Sequence, residues 1–239
     1  MLSGQNKPFR FRQVSLPRSS YAQLQDARKW AIIKTGLNTA PERKAGMRMC
    51  GRYYFSADQA SDERIAAMMR MLEKNYAGQY KTGDILPGDA APGVIRRQGR
   101  IIPIPAVFGF PGFQGKKLIL NARAETAWEK KTFAESLRTR RIVLPASGFY
   151  EWGRDPEKTK YFFSVESEAV VYLGGLYQIA EGICRFVILT RAANASMAEV
   201  HYRMPVILGA EEVRPYLTDE AAARALIAAA SPQLKRQAV

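Results

Sequence analysis

Cysteine and histidine are scarce in this chain, which has two cysteines and one histidine among 239 residues. With only Cys50 and Cys184, a disulfide framework is not expected, and a zinc site built from four cysteines is excluded. No uncharged apolar run reaches the ~20 residues that a membrane-spanning helix needs. The chain also opens without the apolar stretch of a secretory signal peptide. These absences predict a cytoplasmic protein with reduced thiols and no membrane partner.

Acidic residues are also few, since 22 Asp and Glu stand against 36 Lys and Arg and leave a formal net charge of +14. The excess is uneven along the chain. Residues 1–49 hold 10 basic and 2 acidic residues (+8), so residues 50–239 hold the other 26 and 20 (+6). A positive charge favours a polyanionic partner such as nucleic acid. If residues 1–49 are not part of the active protein, only a mild bias toward such a partner remains.

The first fifth of the chain differs in composition from the rest. Residues 1–48 contain Arg and Ser but few acids, which suits a transit peptide, a basic arm or sequence translated upstream of the true start. From Cys50 onward the patterning is that of a folded domain. We therefore expect residues 1–49 to be an N-terminal extension, upstream of the true start or removed, and residues 50–239 to form one domain.

Hydrophobic periodicity predicts one helix early in this domain and mostly strands after it. In "SADQASDERIAAMMRMLEKNY", Ser56 and Gln59 offer a capping box, and one helical face carries the apolar residues Ile65, Met68, Met69, Leu72 and Tyr76. Short β-rich segments follow, including a hairpin around Gln-Gly in "GVIRRQGRIIPI", and helical patterning returns only at about 211–229. Strands do not alternate with long helices, so a doubly wound fold is disfavoured. The sequence predicts a single α+β domain dominated by a curved, mainly antiparallel, barrel-like sheet with a few flanking helices.

Three candidates for chemistry each have a structural alternative. Cys50 could be a small buried apolar residue, although the neighbouring Arg52 favours its reactive thiolate. Asn121, in "LNARAET", could simply cap a turn. His201, in "VHYRMPVIL", could be structural, but as the only histidine it must carry any histidine-based acid–base step.

Glu151 is a fourth candidate because of the strand that holds it. In an extended "GFYEW", Phe149 and Glu151 share one face while Tyr150 and Trp152 share the other. A carboxylate among three aromatic side chains is expected to be partly desolvated, which raises its pKa toward the range useful for proton transfer. The alternative is a glutamate at a sheet edge that points into water.

Three classes of function fit these residues. A Cys–His hydrolase would use Cys50 as nucleophile, His201 as base and Asn121 to orient the base. A non-catalytic nucleic-acid module would use aromatic stacking together with phosphate contacts from Arg52, Arg123, Arg138, Arg140 and Arg141, although the last three could also be a solvated face before a strand. A covalent DNA-reactive protein would combine both sets of residues.

Four motifs are similar to those of a known family. "MCGRYYF", "LILNARAET", "LPASGFYEW" and "HYRMPVIL" occur in the order and approximate spacing of the SRAP family, the SOS-response-associated peptidase-like proteins that attach to abasic sites in DNA. The resemblance covers about residues 49–217. Three features depart from the pattern: Phe108 stands where many members have tryptophan, the C-terminal region is short, and 48 residues precede Met49.

The resemblance implies a mechanism that starts from an N-terminal cysteine. After removal of the methionine, the α-amine of Cys50 would condense with the aldehyde of a ring-opened abasic sugar, and its thiol would close a thiazolidine ring. By motif match, Glu151 would shuttle protons and Asn121 would position the Cys50 end and the sugar. His201 would assist ring opening of the sugar and reversal of the adduct. No metal or organic cofactor would be needed.

The same resemblance implies how DNA would be held. Arg52, Arg123 and Arg203 would contact backbone phosphates, with Trp152 near exposed bases. The expected partner is single-stranded or junction DNA that contains an abasic site, bound by a monomer that is nucleoid-associated if the source is bacterial. Such a protein would shield the lesion during the DNA damage response. A cysteine-dependent peptidase that releases the residues before Cys50 is the alternative that the family name suggests.

Overall fold

The computed structural model describes residues 51–57, 62–112 and 117–239. The predictions about residues 1–49 and about Cys50 therefore lie outside the described residues. Most strands of the described chain belong to two sheets, and the strands are, in chain order, β1 Tyr53–Phe55, β2 Gly83–Ile85, β3 Ala90–Arg97, β4 Arg100–Phe108, β5 Phe110–Pro111, β6 Leu118–Ile119, β7 Asn121–Arg123, β8 Arg141–Ala146, β9 Gly148–Trp152, β10 Lys160–Ser164, β11 Val171–Ala180, β12 Ile183–Ala192, β13 Arg203–Pro205, β14 Ile207–Leu208 and β15 Lys235–Ala238.

The larger sheet closes on itself. Its order is β13-β12-β4-β3-β8-β11-β14, and a further antiparallel pairing between β11 and β12 joins the ends of the central five strands into a barrel. Most of these pairs are antiparallel, whereas β12 runs parallel to β4 and to β7. The prediction of a curved, mainly antiparallel, barrel-like sheet is therefore confirmed.

The barrel opens at one end because β12 changes its neighbours along its length. Near the start of β12, at residues 183–188, its partners are β11 and β4. Near its end, β7 pairs with it at Ile188 to Thr190, and β13 pairs with it at Thr190 to Ala192. Two short strands thus occupy the open end on either side of β12.

The smaller sheet has the order β15-β10-β9-β1-β2 and is antiparallel throughout. It continues from the barrel through β8, which is followed after a single residue by β9. Gly148 stands at this crossing, where an added Cβ would come within 2.5 Å of the Phe163 carbonyl oxygen. The close approach of β10 therefore requires glycine at this position.

The predicted hairpin is confirmed between β3 and β4. Gln98 and Gly99 form its two-residue turn with φ angles of 50° and 73°. Positive φ at both central positions is the type I′ geometry that suits the right-handed twist of paired strands.

Six short to medium helices flank the sheets in the described residues: α1 Glu63–Tyr76, α2 Ala124–Ala127, α3 Ala134–Thr139, α4 Ala195–Ala198, α5 Val213–Thr218 and α6 Glu220–Ala228, with a 3₁₀ turn at Ala210–Glu212. None of the helices in these ranges has the length and apolar character needed to cross a membrane. The apolar face of α1 is confirmed, since Ile65, Met68, Leu72 and Tyr76 are buried and Met69 packs against the core.

The predicted cap of α1 is wrong. The helix begins at Glu63, and Asp62 caps it by accepting a hydrogen bond from the Arg64 amide at 2.9 Å. Ser56 lies too far ahead of this start to act as the cap, and Gln59 is outside the described residues. Asp62 is the better N-cap because it directly precedes the helix and its carboxylate also accepts hydrogen bonds from the Arg64 guanidinium.

The solvated-face interpretation of the three arginines near the start of β8 holds for Arg138, which is exposed, but not for Arg141. Arg141 is buried and donates to the carbonyl oxygens of Leu137 at 2.9 Å, Arg138 at 2.6 Å and Tyr216 at 2.6 Å. It thereby satisfies carbonyl groups at the end of α3 that have no partner within the helix.

Stacked aromatic pairs contribute to the core of each sheet. Phe108 stacks on Phe186 with ring centroids 4.9 Å apart and an interplanar angle of 3°. Phe149 stacks on Phe163 at 5.4 Å. Phe108, at the position where many SRAP-like sequences have tryptophan, is therefore an interior packing residue. Cys184, also buried, lies on β12 as expected for a core residue.

Candidate active site

Glu151 lies on β9 with its side chain in the interior. Only 2% of the residue is exposed, and it stands opposite Tyr161 of β10. Its neighbours alternate as the sequence predicted, with Phe149 buried on the same face and Trp152 exposed on the other. The water-facing alternative for this carboxylate is therefore wrong.

The chain segment that leads to Cys50 runs beside Glu151. Tyr53 pairs with Phe149, and the Tyr150 amide donates to the Arg52 carbonyl oxygen at 3.0 Å. One further step of this antiparallel register brings Gly51 opposite Glu151. A Cβ added to Gly51 would lie 3.9 Å from Leu120 Cδ1. Gly51 thus sits between the Glu151 strand and the segment that carries Asn121.

Asn121 begins β7 at the open end of the barrel. It pairs with Ile188 of β12 and is partly buried. Arg123 ends the same strand with an exposed side chain opposite Thr190, and α2 follows at once. The short strand before β7, β6, is separate from it and has a different partner, since β6 pairs with β5 and β7 pairs with β12.

His201 is fully buried, at 0% exposure, in the loop before β13. Its Nδ1 atom accepts a hydrogen bond from the Arg203 amide at 3.0 Å, so the neutral ring carries its proton on Nε2. Within the described residues, Nε2 is buried and has no hydrogen-bond partner. Burial lowers the pKa of His201, and the positive charges of Arg154 and Arg203 lower it further, while the backbone of Arg203 acts in the opposite direction. The imidazole is therefore neutral at physiological pH.

Arg203 holds the His201 loop against the segment that follows Asn121. Its Nη1 and Nη2 atoms bind Glu125 Oε1 and Oε2 at 2.5 and 2.7 Å, and Nη2 also donates to the Thr190 carbonyl oxygen at 2.5 Å. The hydrogen bonds from Arg203 lower the pKa of Glu125. A phosphate at Arg203 would have to share these donors with Glu125.

Two further cations lie at the surface around these segments. The Arg52 guanidinium stands 5.7 Å from the ring centre of Trp152, which is 36% exposed. Arg154 stands 5.9 Å from the ring of Tyr202 and so joins the end of β9 to the His201 loop. Sequence reasoning missed Arg154 and Glu125, although both lie inside or directly after motifs that it had singled out.

The structure brings all four motif segments together. β1 pairs with the Glu151 strand, Gly51 approaches Leu120, Arg154 contacts the His201 loop, and Arg203 binds Glu125. The segments that carry a carboxylate (Glu151), a carboxamide (Asn121) and a neutral imidazole (His201) are therefore in contact with one another, with cations at the rim. In the described ranges, no three His, Cys, Asp or Glu side chains form a group that could hold a metal ion.

A family model described as SOS response associated peptidase (SRAP) matches residues 49–239. The chain belongs to the SRAP family. The match begins at the residue before Cys50 and leaves residues 1–48 outside.

Named relatives of this SRAP chain come from several organisms. It is 24% identical over 184 residues to the abasic site processing protein YedK of Escherichia coli, an alignment that covers 72% of this chain and 81% of the relative. It is 38% identical over 110 residues to the abasic site processing protein YoaM of Bacillus subtilis, covering 43% of this chain and 48% of that protein. The second alignment thus spans about half of the relative's length.

Solved structures show the same fold. A protein from Bordetella bronchiseptica matches with a TM-score of 0.62 and 23% identity, covering 80% of this chain and 99% of that one. A protein from Bacteroides thetaiotaomicron matches with a TM-score of 0.60 and 21% identity, covering 80% and 92% of the two chains. The SRAP fold therefore accounts for the arrangement of the two sheets.

Proposed function

We propose that this protein captures abasic sites in single-stranded or junction DNA by forming a thiazolidine at Cys50, and so shields the lesion during the DNA damage response. One observation carries the proposal: the segments that hold Glu151 and Asn121 flank the chain segment that leads directly to Cys50, and the His201 loop contacts both of them. The printed names of the relatives, abasic site processing proteins, support DNA with such lesions as the substrate. Cys50 is bonded directly to Gly51, which limits how far its thiol can lie from these groups.

The proposed reaction has two bond-forming steps. The neutral α-amine of Cys50 adds to the aldehyde of the ring-opened sugar, and loss of water gives a Schiff base. The thiol sulfur then bonds to the same carbon, while the thiol proton goes to the nitrogen and the C=N double bond becomes a single bond. Both nucleophiles belong to one residue, so ring closure gains from proximity.

The surrounding residues take the roles that their positions allow. Glu151, buried beside Gly51, moves protons to and from the amine, the sugar oxygen and the thiol. Asn121 positions the Cys50 end and the sugar. His201 is neutral and has a proton on Nε2, so it donates a hydrogen bond to the sugar ring oxygen as the ring opens. The same group assists reversal of the adduct.

Binding of DNA is assigned to the cations and the aromatic side chain at the rim. Arg52 and Arg123 contact phosphates, and Trp152 lies against an unstacked base. Arg203 is mainly a positioning residue for the His201 loop, because its terminal nitrogens already bind Glu125 and Thr190. These contacts select DNA structure rather than base sequence.

A second function uses the same groups on the chain itself. The word peptidase in the family description, together with the residues ahead of Cys50, favours a self-processing step that cleaves the peptide bond before Cys50. This step would expose the α-amine that the capture reaction requires. Mass analysis of purified protein that starts at Met1 would show release of residues 1–49, and Glu151→Gln should abolish the release.

The capture reaction is tested with protein that begins at Cys50. It should form a denaturation-resistant complex with a single-stranded oligonucleotide that carries one abasic site. Cys50→Ser keeps the α-amine, so it should give only a Schiff base that borohydride traps and that is otherwise lost on denaturation. Cys184→Ser is the matched control and should crosslink normally, since Cys184 is buried and burial raises the pKa of its thiol. A stable adduct of Cys50→Ser, in equal yield without borohydride, would end the proposal.

A further inference from the structure

The turn between β3 and β4 carries an arrangement of charge that weakens the hairpin. Arg97 and Arg100 stand directly opposite each other on the two strands, at the last pair before the turn. Like charges in directly opposite positions destabilise an antiparallel pair. The turn itself is fixed by the left-handed conformations of Gln98 and Gly99, so it holds the two side chains at one edge of the barrel.

More arginines lie around this turn. Arg96 precedes Arg97 and is exposed, and Arg140 reaches the same region from the start of β8. Ile95 of β3 pairs with Ile142 of β8, and two further steps of this antiparallel register bring Arg97 opposite Arg140. The Tyr177 amide donates to the Arg140 carbonyl oxygen at 2.8 Å. We call Arg96, Arg97, Arg100 and Arg140 the hairpin arginines.

Acidic side chains balance this charge only in part. Arg140 binds Glu135 at 2.8 Å. Across the described ranges, no carboxylate lies within 4.0 Å of Arg96, Arg97 or Arg100. The unpaired charge remains at the surface, since Arg96 and Arg100 are exposed.

The hairpin arginines lie at the opposite end of the barrel from the candidate active site. β4 runs parallel to β12 with Val107 opposite Arg185, so Arg100, at the other end of β4, lies beyond the start of β12, whereas Arg203 pairs with Ala192 at the end of β12. The 10 residues of β12 span roughly 30 Å at ~3.3 Å per residue. One strand of B-form DNA has a phosphate every ~3.4 Å, so about nine nucleotides would bridge the two ends.

We propose that the hairpin arginines bind the phosphate backbone of DNA whose lesion lies in the candidate active site, as a second contact on the flank of the same molecule. Planar guanidinium groups that lack a carboxylate partner can bind phosphate oxygens. A role in phosphate binding would explain why the chain keeps two opposed arginines that destabilise the hairpin. This inference rests on the proposed function for the identity of the bound lesion. The contact increases the affinity for DNA and sets the direction in which the DNA beside the lesion runs, and it takes no part in the covalent reaction at Cys50.

The test compares DNA of two lengths. Equilibrium binding of the protein with its native N-terminus is measured from low to high salt, for the parent and for Arg97→Ser/Arg100→Ser. With single-stranded DNA of about thirty nucleotides, the slope of log K against log salt should fall by about 1.4 in the variant, at ~0.7 for each lost phosphate contact. With strands of about five nucleotides around the lesion, which cannot span both ends, parent and variant should have the same slope.

A charge-matched control separates a local contact from a general loss of positive charge. Arg70→Ser/Lys74→Ser removes two exposed cations from α1 and should leave both slopes unchanged. Equal slopes for parent and Arg97→Ser/Arg100→Ser on the long strand would overturn the inference, as would an equal loss on the short strand or in the α1 control. Covalent capture of the short strand, measured in parallel, reports on the proposed function alone, because the variant should crosslink it as the parent does.

Discussion

The ion pair between Arg203 and Glu125 is the contact whose removal gives the most quantitative prediction. Glu125→Gln keeps the size of the side chain but removes its charge and replaces one acceptor oxygen by a donor that faces the guanidinium. A hydrogen bond to a charged group contributes about 1.5–3 kcal/mol. The Glu125 side chain is 48% exposed, so solvent screening reduces this to roughly 1–2 kcal/mol. For a protein of this size, Tm should fall by roughly 2–8 °C.

A matched substitution at a more exposed ion pair tests whether the burial of Arg203 makes its ion pair with Glu125 more stabilising. Glu135→Gln removes the partner of Arg140 in the same way, but the Glu135 side chain is 75% exposed, so the expected cost is within about 0.5 kcal/mol. Urea unfolding of the parent and both variants measures the difference. If Glu125→Gln and Glu135→Gln lose the same stability, the inference that this ion pair holds the His201 loop is wrong.

The pH dependence gives a second check on the same ion pair. The folded pKa of Glu125 is lowered by the hydrogen bonds from Arg203, so its contribution is fully present above the unfolded pKa of ~4.3 and is lost as pH falls through the folded value. The stability gap between parent and Glu125→Gln should therefore be constant near neutral pH and shrink below about pH 4. The rate of crosslinking at pH 7 should fall in this variant, because the His201 loop loses its anchor.

Three further predictions concern the reaction. Residues 1–49 should be absent from the active protein, because a cysteine nitrogen acylated by Met49 is an amide and cannot condense with an aldehyde; finding those residues in a fraction that crosslinks through Cys50 would require different chemistry. Glu151→Gln and His201→Ala should slow crosslinking by about 10²–10⁴-fold with little change in DNA affinity. Arg123→Ala should instead weaken DNA binding and reduce its salt dependence. Loss of DNA binding in Glu151→Gln, with normal crosslinking of the bound fraction, would contradict these roles. Arg154→Gln should raise the pKa of His201, since a nearby positive charge is removed, and shift the acid limb of the rate profile to higher pH; an unchanged limb would show that burial alone sets this pKa.

Local patterns predicted the features that depend on neighbouring residues. The turn at Gln98 and Gly99 follows from turn chemistry, and the buried position of Glu151 follows from the alternation of faces in a strand. The cap of α1 was wrong because two polar residues competed for the role, and Asp62, adjacent to the start of the helix, supplies a carboxylate that also binds the Arg64 side chain.

Sequence patterns could not predict contacts between segments that lie far apart in the chain. Glu125 and Arg203 form a bidentate pair although 78 positions separate them in the chain. Each looks like an ordinary exposed charge when only its neighbours are considered. Arg154 was missed for the same reason, because its proximity to Tyr202 and His201 depends on how the end of β9 meets the loop before β13.

The change of partner strands along β12 affects the order in which the strands fold and locally unfold. β7 and β13 each contribute only three residues to the sheet, and β7 pairs with β12 across a large sequence separation. Such short strands have few bonds to offset the cost of closing their loops, so they should form after the β3–β4 and β11–β12 hairpins have closed. Their amide protons should exchange with solvent faster than those of the central strands. The segments that carry Asn121 and Arg203 can then open locally to admit a DNA strand while the rest of the barrel stays folded.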